Sequence, residues 1–248
     1  MPLTPSHVAA VLPLARTRLS LAALAIGSMA PDVPLFTGLD IYRHTHSVVG
    51  ALTTDVALGL PLYVLWRGLL RAPTLACLPS ALRARWPAWQ PWRETLPWVL
   101  LGLALGACTH VAWDHCTHAY GAAVHAIDAL RATWPPFGRP GYAVLQAFSS
   151  LFGGGAVVAW LWTRRAVVPR TAPLARDGVL WAGWAALLVA SVALAATRAT
   201  LLGGEFALFR TITGTGAAIV VLATAAALLL RPRLGRGGDG PDDATAPA

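Results

Sequence analysis

Five stretches of this chain stay apolar for about 20 residues at a time: 47–66, 95–113, 142–162, 178–202 and 211–230. That is the length a helix needs to cross the hydrocarbon core of a bilayer, about 20 residues. Inside lipid every backbone polar group must be satisfied within the protein, which leaves helices or a closed barrel. No strand-like alternation accompanies the runs, and no internal repeat is visible. The expected fold is therefore all-α, an integral membrane helical bundle with about five full spans. Composition agrees: 12% of residues are charged, against about 25% in an ordinary soluble domain. Trp66, Trp98, Trp113, Trp162 and Trp181 stand near the ends of the runs, where an aromatic belt places them.

Every one of the 19 basic residues is arginine, and the formal charge is +8. The arginines lie in loops between apolar runs and not on a basic face interleaved with aromatics, which argues against nucleic acid. Arg67, Arg71, Arg83, Arg85 and Arg93 follow the first run; Arg164, Arg165, Arg170 and Arg176 follow the third; Arg231, Arg233 and Arg236 follow the last. These segments alternate with five spans and are expected to be cytoplasmic. Residues 38–46, 114–141 and 203–210 then share the opposite, non-cytoplasmic side. The tail at 233–248 has a disordered composition. Cys77, Cys108 and Cys116 show no CxxC spacing, so neither a disulfide framework nor a thiolate zinc site is indicated.

Residues 5–30 admit three readings. One is a cleaved signal peptide, with 19–30 as its apolar core. Another is a full span over 19–36, which would leave His7 cytoplasmic. The third is a short helical hairpin turning at Arg16-Thr17-Arg18, half-inserted, which brings Asp32 back beside His7. Each leg is about 16 Å long as an α-helix, too short to cross.

Ionisable residues beside apolar runs are costly and call for a reason. His110, Asp114 and His118 recur every fourth residue, which puts two imidazoles and a carboxylate on one helical face. His7, Asp32 and the His44-Thr45-His46-Ser47 island add further candidates. Asp55 lies eight residues into a span, either protonated, paired with an arginine, or orienting a ligating histidine. His115 points away from Asp114, and His125 reads as a surface residue. Imidazoles and carboxylates without thiolates suit a divalent ion, zinc first, with manganese or iron as alternatives. Such an ion lowers the pKa of its water toward about 7, which favours hydrolysis of an ester or phosphoester. No Gly-x-Ser-x-Gly elbow or P-loop appears.

An ordered set of short motifs carries a resemblance. It comprises Met1-Pro-Leu-Thr-Pro-Ser-His7, Ile26-Gly-Ser-Met-Ala-Pro31-Asp32, His46-Ser47 with Asp55 downstream, and Thr109-His110-Val-Ala-Trp113-Asp114 with Thr117-His118. Gln146 and Ser149-Ser150 join the set. Together they resemble a bacterial family of polytopic membrane proteins described as domain of unknown function 4184, over residues 1 to about 225. That family is in turn distantly similar to membrane-bound metal-dependent hydrolases, which have a His-Arg pair before their Thr-His-Ser; here Arg43-His44 is shifted.

The resemblance implies the hairpin, with His7, Asp32, His46 and His110 on one side. With the stripe on the later helix, the leading expectation is a metal held by His7, Asp32, His46, His110, Asp114 and His118. Asp32 or Asp114 serves as general base, with Asp55 and Ser47 as supporting residues. The expected organisation is a metal-site domain at 1–165, a two-helix membrane scaffold at 166–232 carrying Ser191, Arg198 and Glu205, and the tail. The expected setting is the bacterial inner membrane, multi-pass, with the histidine-rich face non-cytoplasmic. Membrane lipids are the expected partners, a lipid or phosphoester the substrate; oligomeric state stays open. Two other classes compete. One is a metal transporter or sensor using the same residues. The other is a structural membrane protein whose histidines serve internal hydrogen bonds.

Overall fold

The computed structural model describes residues 3–87, 93–166 and 173–202. Glu205, the run at 211–230, the tail at 233–248 and the side chains of Ser191 and Arg198 lie outside the described residues. A 3₁₀ turn over Thr4–His7 leads into α1 (Val8–Val11), a second 3₁₀ turn over Leu12–Arg16, and α2 (Leu21–Gly27). Another 3₁₀ turn, Ala30–Asp32, precedes α3 (Val33–Thr37), α4 (Tyr42–Thr45), α5 (Val48–Leu52) and α6 (Thr54–Leu65). A π-helical segment, Trp66–Leu70, continues into α7 (Arg71–Cys77), followed by α8 (Ser80–Arg83) and the long α9 (Leu96–Thr117). Then come α10 (Ala122–Ala126), α11 (Asp128–Arg131), strands β1 (Thr133–Trp134) and β2 (Arg139–Pro140), α12 (Gly141–Thr163) and α13 (Asp177–Leu202). The two-residue antiparallel ladder was not foreshadowed by alternation. It follows from the turn between its strands, where Gly138 adopts φ 59.

Three helices are long and apolar enough to cross a membrane: Val48–Cys77, Leu96–Ala126 and Gly141–Thr163. They match the first three expected runs. The fourth run is helical as α13, so the described residues support a helical membrane protein with three candidate spans. On α12, Leu151, Phe152 and Val158 are each exposed, as a lipid-facing helix requires.

The chain divides into two compact units. One comprises Met1–Tyr63 and Trp89–Thr163, the other Val64–Ala88 and Arg164–Ala248. In the second, the Ser80 amide donates to Asp177 Oδ1 at 3.1 Å, and Trp184 Nε1 donates to the Cys77 carbonyl at 2.9 Å. A cut near residue 165 would keep residues 64–88 with the first unit; by contact they group with the C-terminal segment.

In the first unit the N-terminal segment folds as a hairpin laid along α9. Its turn reaches the start of that helix: Arg93 donates to the Ala15 carbonyl at 3.0 Å, and the Ser20 hydroxyl donates to Glu94 at 2.6 Å. The Tyr63 hydroxyl binds the same carboxylate oxygen. The incoming leg reaches this depth because much of it is 3₁₀, which rises about 2.0 Å per residue against 1.5 Å in an α-helix. Pro5 and Pro13 open those turns. Ser20 caps α2 by accepting from Ala23 N at 3.1 Å.

Packing of α2 on α9 depends on Gly102 and Gly106. A Cβ at Gly106 would sit 2.3 Å from the Leu24 carbonyl oxygen, and one at Gly102 would sit 3.1 Å from Ala23 Cβ. The Gly-x-x-x-Gly spacing thus serves a backbone-to-backbone contact within the chain. Around it, Ala23, Tyr63, Val99 and Leu103 form one buried cluster, and Val11, Leu19 and Leu24 another. The hairpin is thereby locked in depth and rotation, which returns its two ends, His7 and Ser28–Asp32, beside His110.

Candidate metal centre

Four segments deliver the polar groups. The first 3₁₀ turn carries His7, the turn before α3 carries Asp32, the end of α4 carries His46, and α9 carries His110 and Asp114 one turn apart. None is more than 6% exposed. Burial of five ionisable side chains together is a large desolvation cost, so the contacts among them decide the reading.

Two backbone carbonyls fix the imidazoles. His110 Nδ1 lies 2.7 Å from the Ser28 carbonyl oxygen, and His46 Nδ1 lies 3.0 Å from that of Tyr42. A carbonyl only accepts, so in each ring Nδ1 carries a proton and Nε2 points inward, free to offer a lone pair once the ring is neutral. Those lone pairs meet carboxylate oxygens. His46 Nε2 stands 3.5 Å from Asp32 Oδ1 and 3.4 Å from Asp114 Oδ2. His110 Nε2 stands 3.7 Å and 3.5 Å from the same two oxygens. The four atoms alternate nitrogen and oxygen around a closed ring. Asp114 turns its other oxygen, Oδ1, toward His7 Nε2 at 3.6 Å. His7 itself stacks on His110, centroids 3.7 Å apart.

These separations are too long for hydrogen bonds, which span 2.7–3.2 Å. Asp32 Oδ1, both oxygens of Asp114, and Nε2 of His46 and His110 have no hydrogen-bond partner. The spacing is one at which these atoms could share a metal ion. At metal–ligand distances of about 2.0–2.2 Å, tetrahedral ligands lie about 3.4 Å from one another. Two overlapping groups satisfy the proximity a metal demands: His7, His110 and Asp114, and Asp32, His46 and His110. The donor chemistry, imidazole with carboxylate, fits such an ion.

The surroundings orient the candidate ligands. Thr4 donates its hydroxyl to Asp32 Oδ2 at 2.6 Å. Thr45 donates to the Pro31 carbonyl at 2.9 Å, tying the Thr-His-Ser island to the Pro-Asp turn. Burial lowers the His7 pKa to about 3, with His110 acting in the same direction, so this ring stays neutral. At His46 burial also lowers the pKa, but the Asp114 and Asp32 carboxylates outweigh it and lift the value to about 9.

Not all sequence candidates enter the centre alike. His118 lies one residue beyond α9, in extended backbone (φ −126, ψ 143), so the helical stripe ends before it. Its Nδ1 is 3.3 Å from the Asp114 carbonyl and 3.4 Å from Asp114 Oδ1, and its Nε2 is 3.2 Å from the Gln146 amide nitrogen. It buttresses Asp114. Ser47 caps α5, accepting from Gly50 N at 3.0 Å and donating to the His44 carbonyl at 2.7 Å. Asp55 is fully buried, its oxygens without hydrogen-bond partners, within electrostatic reach of His46 and His110. His44 is exposed and meets the Thr54 hydroxyl at 2.8 Å; His115 accepts from Ala122 N at 3.0 Å; His125 is exposed. The sequence analysis gave no role to Thr4, Tyr42 or Tyr120, and took Thr45 only as part of a motif. Only Thr45, inside the Thr-His-Ser island, carried a local signal.

Over residues 1–229 the chain matches the family described as Domain of unknown function (DUF4184), and it belongs to that family. No curated protein and no solved structure shows significant similarity to it.

Proposed function

We propose that this member of the DUF4184 family is a membrane-embedded, metal-dependent hydrolase acting on a lipid or other phosphoester. The observation that carries the reading is the ring of His46, His110, Asp32 and Asp114. Its imidazole Nε2 atoms and carboxylate oxygens face one another at 3.4–3.7 Å, each Nε2 without a hydrogen-bond partner. Zinc suits two imidazoles and two carboxylates best; manganese and iron accept the same donors. When bound, the ion supplies a Lewis acid and a water acidified toward about pH 7.

The chain's own residues complete the chemistry. His46 and His110, with tautomers set by backbone carbonyls, hold their Nε2 atoms inward. Thr4 holds Asp32. Asp114 faces the ring through Oδ2 and His7 through Oδ1, so one oxygen is placed to accept a proton while the other stays engaged. His118, itself held by Gln146, steadies Asp114 from behind. Metal transport would need polar groups along the whole depth of the span. Beyond Asp55 the core turns apolar, through Ala23, Val99 and Leu103, which favours chemistry at one face.

The inner membrane, with the site on its non-cytoplasmic side, is part of the proposal. It is supported by the arginine-rich loops: Arg93 lies at the N-terminal end of α9 and the ligands near its C-terminal end. The test is turnover. Zinc-loaded protein in nanodiscs should release phosphate or a headgroup from at least one lipid phosphoester, and Asp114→Asn should abolish the release. Metal-replete protein inert across phosphomonoesters and phosphodiesters would refute catalysis.

A further inference from the structure

The ring of His46, His110, Asp32 and Asp114 already supplies the four donors that a tetrahedral ion takes, and His7 is left over. His7 is buried, yet its Nδ1 has no hydrogen-bond partner, and its Nε2 faces Asp114 Oδ1 at 3.6 Å, beyond hydrogen-bond reach. Asp114 Oδ1 has no hydrogen-bond partner either. Buried polar atoms are rarely left so, and each case calls for an explanation. The ring is placed by its backbone. The turn that carries it docks on α12, where the Leu3 amide donates to Ser150 Oγ at 3.0 Å. Gly153 admits the turn, since a Cβ there would stand 2.7 Å from the Ser6 carbonyl oxygen.

The stack of His7 on His110 brings the two rings nearly parallel, 15° between planes and 3.7 Å between centroids. Both Nε2 atoms face the same carboxylate, His7 toward Oδ1 at 3.6 Å and His110 toward Oδ2 at 3.5 Å. An imidazole nitrogen has one lone pair and serves one ion. Stacked rings therefore offer two lone pairs side by side, and the carboxylate in front of them has one oxygen for each. Paired metal ions in hydrolytic sites lie about 3.5–4 Å apart, which is the spacing of this stack. The two proximity groups, His7 with His110 and Asp114, and Asp32 with His46 and His110, share only His110. Once His110 serves the ring, His7 and Asp114 Oδ1 remain for another ion.

We propose that the centre has a second divalent-metal position, between His7 Nε2 and Asp114 Oδ1, so that Asp114 bridges a pair of ions. This inference rests on the metal-dependent reading above. The second position has two protein donors against four in the ring, so it is the weaker and fills after the first. Empty, it leaves Asp114 Oδ1 free to accept a proton; filled, it engages that oxygen and adds a second Lewis acid beside the first.

The experiment dialyses the full chain in detergent to equilibrium against solutions of rising buffered free zinc and reads bound metal by plasma mass spectrometry. Wild type should load in two steps, reaching about two equivalents per chain. His7→Phe keeps an aromatic ring on His110 and removes both nitrogens; it should stop at about one equivalent, with the first step unchanged. A parallel titration uses Mn²⁺ and electron paramagnetic resonance. Bridged ions couple magnetically, so the hyperfine-split signal of isolated Mn²⁺ seen after the first step should collapse after the second in wild type and persist in His7→Phe. If His7→Phe does not fold, the wild-type spectrum decides alone: an uncoupled signal at full loading overturns the pair. A single step that His7→Phe weakens makes His7 one more ligand of a lone ion; it overturns the second position and leaves the metal reading standing. A second equivalent that survives His7→Phe binds elsewhere and overturns it as well. Failure of wild type to take up either metal overturns the metal reading and the pair with it.

Discussion

Thr4 stands at no position that sequence spacing would pick out as a ligand, yet removing its hydroxyl should weaken the metal centre measurably. In the structure Thr4 Oγ1 donates to Asp32 Oδ2 at 2.6 Å, in a part-buried setting. The other oxygen, Oδ1, faces His46 and His110 at 3.5 and 3.7 Å. Thr4→Val preserves the β-branched shape and leaves Oδ2 of a carboxylate that is 1% exposed without its donor. A hydrogen bond to a charged group is worth about 1.5–3 kcal/mol, and about 1.4 kcal/mol corresponds to a tenfold change in affinity. The metal Kd should therefore rise about 10- to 100-fold, the range seen when groups behind metal ligands are removed. A competition titration against a chromophoric zinc chelator in detergent measures it. Thr4→Ser, which keeps the hydroxyl, should stay close to wild type. A folded Thr4→Val protein that binds zinc as tightly as wild type would show that Asp32 is not held in this way and is not a ligand.

Other consequences follow from the same geometry. Gly106→Val should prevent stable folding or cost more than about 3 kcal/mol, because even its first carbon would clash with the Leu24 carbonyl. Gly154→Ala, where nothing lies within 4 Å, should be neutral or mildly stabilising in thermal denaturation. Zinc binding between pH 7 and 8 should expel about one proton, since His46, with a pKa raised to about 9, is mostly protonated before the ion arrives. Affinity should accordingly climb as pH rises toward 9, and calorimetry in buffers of different ionisation enthalpy reads the proton directly; no buffer dependence would contradict the assignment. In a background lacking the three native cysteines, a cysteine at position 120 should react with an impermeant maleimide in intact cells. One at position 85 should react only after permeabilisation; the opposite pattern would invert the proposed orientation.

The residues legible in the sequence were those whose relation is local. His110 and Asp114, one helical turn apart inside a 22-residue helix, had to share a face. His118 followed the same arithmetic but fell past the end of α9, where the backbone turns extended and the periodicity no longer applies. The hairpin could be drawn from Arg16-Thr17-Arg18 and the turn at Pro31, but its depth could not. That depth depends on 3₁₀ winding and on Gly102 and Gly106 admitting α2 to the backbone of α9. Long-range partners were also invisible: the Ser28 carbonyl on His110 across 82 residues, and Tyr42 against Tyr120 across 78. Neither carbonyls nor tyrosines at such separation leave a pattern in one sequence. Ser47 shows the opposite error, a polar residue beside a ligand whose role is to cap the next helix.

The central claim is that the ring of His46, His110, Asp32 and Asp114 exists to hold a metal ion. Elemental analysis of the detergent-purified protein by plasma mass spectrometry, beside a His46→Ala/His110→Ala variant shown to fold, tests it most directly. The account predicts about one equivalent or more of zinc, manganese or iron per chain in the parent and its loss in the variant. A folded parent that carries no metal, and takes up none when each ion is supplied in turn, would contradict it.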